Sequence, residues 1–504
     1  MNERSAPPDR KEAVTALMKR RAGVLVFALA LVARLAVVAW AAPRIPPTAD
    51  GTFYHTIAGR IAEGLGYTWL WPDGAVTHAG HYPIGYPALV AAAYRIAGPA
   101  PAAAMLLNAL VGSFAAGAAF GLAKRAGGDR AGVAAGVLVA LHPGLLAYTP
   151  ALMTEGVTAA LVACAAWAAG EASARRMSEQ SPIRAPWRWL LVTGALAGLA
   201  TLVRPQSIVL APVFGALAAV TGAKEQLGVR VTLARASIWG AAVLAIALAV
   251  CAPWTVRNCV AMKRCALVSH NGGWNLLIGT NENGGGMWAE VIVPPECREV
   301  FDEAEKDVCF GAAARRAILD RPAPWLALVP KKLAATFDYA GAGGWYLNAA
   351  NGDAFPERAK ITSGAVETVL ERAMLIAALW VAARSPLSAV RQRGERGRRL
   401  ASDVATLALA LAGALTAFAR HAWVGYVILG VLLLATRGHA TATPAMDPER
   451  PMLPPATGAV LLSLAVTHAI FFGAGRYSLV AFPLVTAVAA LSLPRERRAP
   501  ASDQ

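Results

Sequence analysis

The sequence predicts an all-helical polytopic membrane protein, and three observations carry that reading. Hydrophobic residues make up 56% of the 504-residue chain while charged residues make up 15%. Soluble domains carry about 25% charge, so this chain lacks the polar surface to cover itself in water. Mean hydropathy is +0.47, and the same composition excludes disorder, which needs high charge and low hydrophobicity. The apolar residues are also gathered into about twelve runs near the roughly 20 residues that a helix needs to cross a bilayer core.

The elements follow in order. The run at 22–42 succeeds MNERSAPPDRKEAVTALMKRR. It resembles a signal peptide, but its length suits a span and no small-residue cleavage site follows a short core, so it reads as an uncleaved first helix. Residues 43–102 form a first outer loop. Within it, 52–63 mixes apolar and polar residues at helical spacing, as in a helix lying in the interface, and HYPIGYPALVAAAYRIAG is too short and interrupted to span. Further spans are expected at 103–123, 131–149, 152–170, 189–203, 206–221 and 236–254. The long loop 255–366 holds the Gly-rich run NGGWNLLIGTNENGGGMW and an amphipathic helical part over 298–338. Spans at 367–384, 403–419, 423–436, 456–473 and 477–493 complete the bundle. The expected organisation is therefore 1–254, 255–366, 367–493 and a tail 494–504. Linkers are confined to RQRGERGRR and the Pro-rich stretch 443–455, and no internal repeat is visible.

Twelve crossings place both termini on one side, and the charges say which. Loops and tails on that side hold 27 Lys and Arg against six in the short segments opposite. Basic residues mark the cytoplasmic face, so the first and long loops are expected outside. The net charge of +16 thus reflects topology and anionic lipid rather than nucleic acid. Cys259, Cys265, Cys297 and Cys309 all fall in the long outer loop. In an oxidising space, three pairings are open to them besides four free thiols. The local pairs Cys259–Cys265 and Cys297–Cys309 are the favoured arrangement.

Candidate site residues are those whose polarity is costly where they stand. Asp50 sits in a Pro-rich, apolar approach beyond the first span. Two compatible readings apply: a helix N-cap, and a general base made more basic by partial desolvation. Glu155 opens the fourth span, where it can serve the helix dipole or a site. Arg204, in LVRPQ, and Arg476, in GAGRY, are lone charges between apolar spans, which either snorkel to the interface or function there. Arg257, Lys331 and Lys332 lie in the long loop, and several such cations around one cavity would suit a lipid phosphate. His78, His81 and His270 could ligate a divalent metal with Asp50 or Glu155, although their spacing is a weak metal signature. Arg34, within the first span, receives no role.

Taken in order, TADGTFYHTIAGRIAEGLGYT, HYPIGYPALVAAAY, ALMTEGVTAALV, GLATLVRPQSIVLAP, APWTVRN with SHNGGWNLLIGTNENGG, and GRYSLVAFP resemble the motifs of the GT-C superfamily of membrane glycosyltransferases. The nearest branch is that of the protein O-mannosyltransferases and aminoarabinose transferases. The resemblance runs from about residue 20 to 493. It implies a polyprenyl-phosphate sugar donor, an acceptor hydroxyl on an envelope glycan, lipid or protein, and inverting transfer at the outer face of a bacterial-type inner membrane. It implies Asp50 as general base, with Glu155 shaping the site or holding a metal. Arg204, Arg257, Arg476 and Lys331 become candidates for the donor phosphate. Tyr54, His81, Tyr82, Trp274 and Asn275, which lie inside the motifs, become candidates for sugar or acceptor contacts. The chain departs from the branch at Gly51, where protein mannosyltransferases carry a second acid, and at His81 and Val203, which replace a Pro and a Thr.

Other classes remain to be weighed. A transporter or flippase of lipid-linked saccharide would spread buried charge through the midplane and show inverted repeats. A non-catalytic assembly protein would tolerate loss of Asp50.

Overall fold

The computed structural model describes residues 10–178, 186–221, 229–339, 341–392, 397–419, 421–435 and 451–494. Arg420, the C-terminal tail and most of the two linkers lie outside them. Helix α1 (Arg10–Ala41) leads to α2 (Asp50–Ala62), a short hairpin of β1 (Thr68–Leu70) and β2 (Val76–His78), and α3 (Gly85–Ala97). The hairpin pairs antiparallel with Trp69 opposite Thr77. It was not expected from the sequence, since three-residue strands leave too short a pattern to read. The turn between them uses Gly74, whose φ of 84° suits glycine.

The bundle continues with α4 (Pro101–Gly127), α5 (Asp129–Ala140), α6 (Pro143–Ala147), α7 (Glu155–Ser178), α8 (Trp187–Val203), α9 (Leu210–Val220) and α10 (Val229–Ala261). Among the described residues, five helices are long and apolar enough to cross a membrane: Arg21–Ala41, Pro101–Gly127, Glu155–Arg175, Val229–Ala261 and Leu453–Ile470. Shorter apolar helices accompany them, and the chain is a multi-pass membrane protein. Small residues allow close packing. A Cβ on Gly194 would lie 2.6 Å from Ile246, and one on Gly198 would lie 2.7 Å from Val250, so α8 and α10 meet backbone to side chain.

The expected span at 131–149 is corrected by the structure. Its helix stops at Ala140, because Pro143 cannot supply the N–H that an uninterrupted helix would need. Residues 141–154 then run through the short helix α6 and an irregular stretch, largely buried inside the protein, where neighbouring groups can satisfy the backbone. Arg34 has its role here. It is 1% exposed and donates to the carbonyls of Ala30 and Ala140, both at 3.2 Å, so it binds the end of the interrupted helix. The expected span 206–221 likewise begins as a 3-10 turn over Pro205–Val209.

In the long loop, α11 (Gly272–Ile278) is followed by α12 (Glu303–Asp320) and α13 (Pro322–Phe337). Asp302 caps α12, accepting from the N–H groups of Ala304 and Glu305 at 2.9 Å each. Both favoured disulfides are formed, Cys259–Cys265 and Cys297–Cys309. The chain closes with α14 (Ala342–Ala350), α15 (Glu357–Gln392), α16 (Gly397–Phe418), α17 (Ala422–Ala435), α18 (Leu453–Ile470), a 3-10 turn over Gly475–Val480, and α19 (Phe482–Ala490).

Candidate active site

Asp50 is the first residue of α2, and it does not cap that helix: the capping position is Ala49, with no side-chain cap. Ala49 is held at φ 50°, a left-handed conformation costly for a residue with a Cβ. The Asp50 carboxylate is turned instead toward two partners. Its Oδ1 accepts from the Tyr82 hydroxyl at 3.0 Å, and its Oδ2 pairs with Arg476 Nη2 at 3.0 Å. Glu155, at the start of α7, faces the same guanidinium. Its Oε1 lies 3.3 Å from Arg476 Nε and 2.8 Å from Arg204 Nη1, and its Oε2 accepts from the Tyr148 hydroxyl at 3.1 Å. Arg204 and Arg476 both lie over the Tyr477 ring, at 4.6 and 5.3 Å. Four charges that lie far apart in sequence thus share one cluster.

The cluster is buried unevenly. The Glu155 side chain is 2% exposed and Arg204 13%, whereas Asp50 and Arg476 are 29% and 28% exposed. A substrate therefore meets Asp50 and Arg476 first. Beside Arg204, a small, partly open crevice of about 20 Å³ lies between α7, α9 and α18, lined by Thr158, Val162, Gln206, Ser207, Leu210 and Val460 among others.

Local folding explains the placement. Tyr346, on α14, accepts backbone hydrogen bonds from Thr48 (3.2 Å) and Leu152 (3.4 Å), tying together the approaches to Asp50 and Glu155. Gly51 has no room for the second acid, since a Cβ there would lie 2.7 Å from the Tyr346 hydroxyl. Glu303, on α12, accepts from Gly80 N, His81 N and Trp69 Nε1 at 2.7, 3.1 and 2.8 Å, latching the long loop onto the segment that carries Tyr82. None of Tyr148, Tyr346 or Glu303 was found by sequence reasoning: Tyr346 and Glu303 have partners 194 to 298 residues away, and Tyr148, seven residues before Glu155, falls in the stretch read as a continuous span.

An aromatic surface flanks Asp50. Tyr82 packs on Phe53 (4.0 Å between centroids) and Tyr54 (5.3 Å), and His81 meets Tyr82 and Trp274 edge to face. Burial pushes the Tyr54 and Tyr82 phenols well above their ordinary range, and the nearby Asp50 carboxylate adds to this, so both stay protonated. Burial lowers His81 to about 4, which makes it a neutral ring rather than a cation at pH 7. Trp274 is fixed by its backbone N–H donating to Asp307 Oδ1 at 2.8 Å. No recorded contact among the described residues brings the Asn275 side chain to this group.

The structure places three of the expected groups elsewhere. Arg257 is engaged elsewhere: its guanidinium donates to the carbonyls of Ala79 (2.7 Å) and Tyr67 (2.9 Å) and lies over Trp254, so it braces the first outer loop. Lys331 is on the exposed side of α13, while the neighbouring Lys332 points inward to the carbonyls of Ala469 and Ile470. Burial lowers Lys332 to about 8. The metal set is not assembled either. His78 is exposed on the hairpin, Arg476 stands between Asp50 and Glu155 where a cation would need to be, and no three His, Cys, Asp or Glu side chains among the described residues group to hold an ion. The residues present therefore do not fit a divalent metal.

Residues 81–256 match the family model described as dolichyl-phosphate-mannose-protein mannosyltransferase. That stretch, about a third of the chain, holds Glu155 and Arg204, and over it the chain is similar to the protein O-mannosyltransferases. Asp50 and Arg476 lie outside it. No curated protein matches the chain. Among solved structures, the archaeal oligosaccharyltransferase AglB from Archaeoglobus fulgidus, in complex with an inhibitory peptide and a dolichol-phosphate, is 14% identical. The match covers 94% of this chain and 50% of that one, with a TM-score of 0.43. ArnT from Cupriavidus metallidurans bound to undecaprenyl phosphate is 16% identical, over 93% of this chain and 77% of that one, with a TM-score of 0.36. The chain thus spans half the length of the oligosaccharyltransferase.

Proposed function

We propose that the protein is a glycosyltransferase that moves a sugar from a polyprenyl-phosphate donor to an acceptor hydroxyl at the extracytoplasmic membrane face. The observation that carries this reading is the partly open Asp50–Arg476 pair beside the buried Glu155–Arg204 pair. Transfer from a phosphate ester needs a base for the nucleophile and cations for the departing phosphate, and both stand within one guanidinium's reach.

In the proposed step, Asp50 takes the proton of the acceptor hydroxyl as that oxygen bonds to the anomeric carbon. The bond from that carbon to the phosphate oxygen breaks, and its electron pair leaves on the phosphate, which Arg476 and Arg204 receive. A single displacement inverts the anomeric configuration. Glu155, locked by three donors, positions the two guanidinium groups, and Tyr82 orients Asp50 by its hydrogen bond. The aromatic surface of Tyr82, His81 and Trp274 offers a face for the sugar. No metal enters the step.

The test is release of polyprenyl phosphate from a panel of polyprenyl-phosphate sugars plus envelope extract. The native protein is expected to turn over one donor, and Asp50→Asn to lose at least about 100-fold, the usual scale of a general base. Equal turnover in both would remove Asp50 as base. A native protein that moves such lipids across vesicles without cleaving them would be a transporter instead.

A further inference from the structure

The cluster of two carboxylates and two guanidinium groups is formally neutral, so it offers no net attraction to an anion. Its three ion pairs differ in how readily they open. Glu155 is held by Tyr148, Arg204 and Arg476 in a nearly closed pocket. The Asp50–Arg476 pair is the partly exposed one. Arg476 also rests on the face of Tyr477, with its guanidinium carbon 5.3 Å from the ring centroid. With Arg476 Nη2 paired to Asp50 and Nε to Glu155, a phosphate reaching the open side would share this guanidinium with the Asp50 carboxylate.

Resting on the function proposed above, we propose that Asp50 and the lipid phosphate compete for Arg476, and that the proton taken by Asp50 decides which of them holds it. Before transfer, Asp50 is an anion and the donor phosphodiester carries one charge. During transfer the acceptor's proton moves to Asp50, and the electron pair of the broken carbon–oxygen bond moves to the phosphate. Asp50 becomes neutral as the phosphate gains its second charge, so the total is unchanged and Arg476 passes from one to the other. When Asp50 later loses that proton to solvent, it reclaims Arg476 and weakens the hold on polyprenyl phosphate. Asp50 thereby serves release as well as deprotonation.

Binding, rather than turnover, tests this. The probe is farnesyl phosphate, a short prenyl monophosphate, titrated onto the detergent-purified full chain at pH 7.5. The proteins compared are native, Asp50→Asn, Arg476→Gln and the double variant. Asp50→Asn is expected to bind about tenfold tighter than native, because the competitor's charge is gone. Arg476→Gln is expected to bind more weakly, and adding Asp50→Asn to it should give no gain, as a shared partner makes the two changes non-additive. A merely structural Asp50 would give weaker binding on substitution. Asp50→Ser, which also removes the charge, serves if the Asn variant does not fold. Native binding with equal or weaker binding by the charge-removing variants would overturn the competition. No binding by the native protein or by either charge-removing variant would overturn the lipid-phosphate reading itself, and the competition with it.

Discussion

Tyr346 shows at the scale of one residue how the site is held. Its hydroxyl accepts from two backbone N–H groups that lie on either side of the cluster, at Thr48 and Leu152. Tyr346→Phe leaves the buried Leu152 N–H and the half-buried Thr48 N–H unpaired, a loss of about 1–3 kcal/mol. Thermal unfolding in detergent should show that loss, and polyprenyl phosphate release should fall with it; a variant with native turnover would show that the tie does not position Asp50. His81 supplies a pH dependence. Its ring is lowered by burial from 6.5 to about 4, so between those values the unfolded chain binds a proton that the native protein does not. Stability is therefore lost as pH falls from 6.5 toward 4. His81→Phe keeps the contacts with Tyr82 and Trp274 but removes the titration, and should flatten that loss by about 2 kcal/mol. Melting curves of both proteins across pH 4–7 would check it, and parallel slopes would count against it. The charged members of the site were legible in the sequence because Asp50, Glu155, Arg204 and Arg476 stand at apolar edges where charge is costly. Lys331 and Arg257 looked alike by that measure, and only the fold distinguishes an exposed lysine and a carbonyl-bound arginine from groups facing a cavity.

At the scale of elements, Asp50 and Arg204 are set by close approaches of helices rather than by their own segments. Gly85 begins α3 against the end of α8, where an added Cβ would lie 2.5 Å from the carbonyl carbon of Leu202 and 2.6 Å from Val203 N. That contact is to backbone, which cannot swing aside as a side chain would. Gly85→Ala is therefore expected to push α8 away and shift Arg204, which follows it directly. The expected cost is about 1–3 kcal/mol of stability, typical of overpacking, together with weakened farnesyl phosphate binding. Unchanged binding would place Arg204 outside the phosphate site. The helices themselves were legible from hydropathy, but the interruption after Ala140 was not drawn, although Pro143 announces it. An apolar run reads as one span when composition alone is averaged, and it takes the missing N–H of one proline, with Arg34 gathering the freed carbonyl, to divide it.

At the scale of the whole molecule, the two disulfides and the charge asymmetry bear on the same question, namely which side of the membrane holds the site. Basic residues crowd the loops opposite the long loop, and the positive-inside rule puts those on the cytoplasmic side. The disulfides Cys259–Cys265 and Cys297–Cys309 lie in the long loop, and such bonds persist in oxidising compartments. The long loop reaches the site directly, since Glu303 holds the segment next to Tyr82, so the loop and the cluster share one face. The prediction is that a membrane-impermeant maleimide will not label intact cells, and will label them after mild reduction, at those four cysteines. The free Cys164 and Cys251 fall in spans and should stay unlabelled until the membrane is dissolved. Labelling without reduction would mean that the bonds are absent. Labelling that requires permeabilised cells even after reduction would place the loop, and the chemistry with it, on the cytoplasmic side.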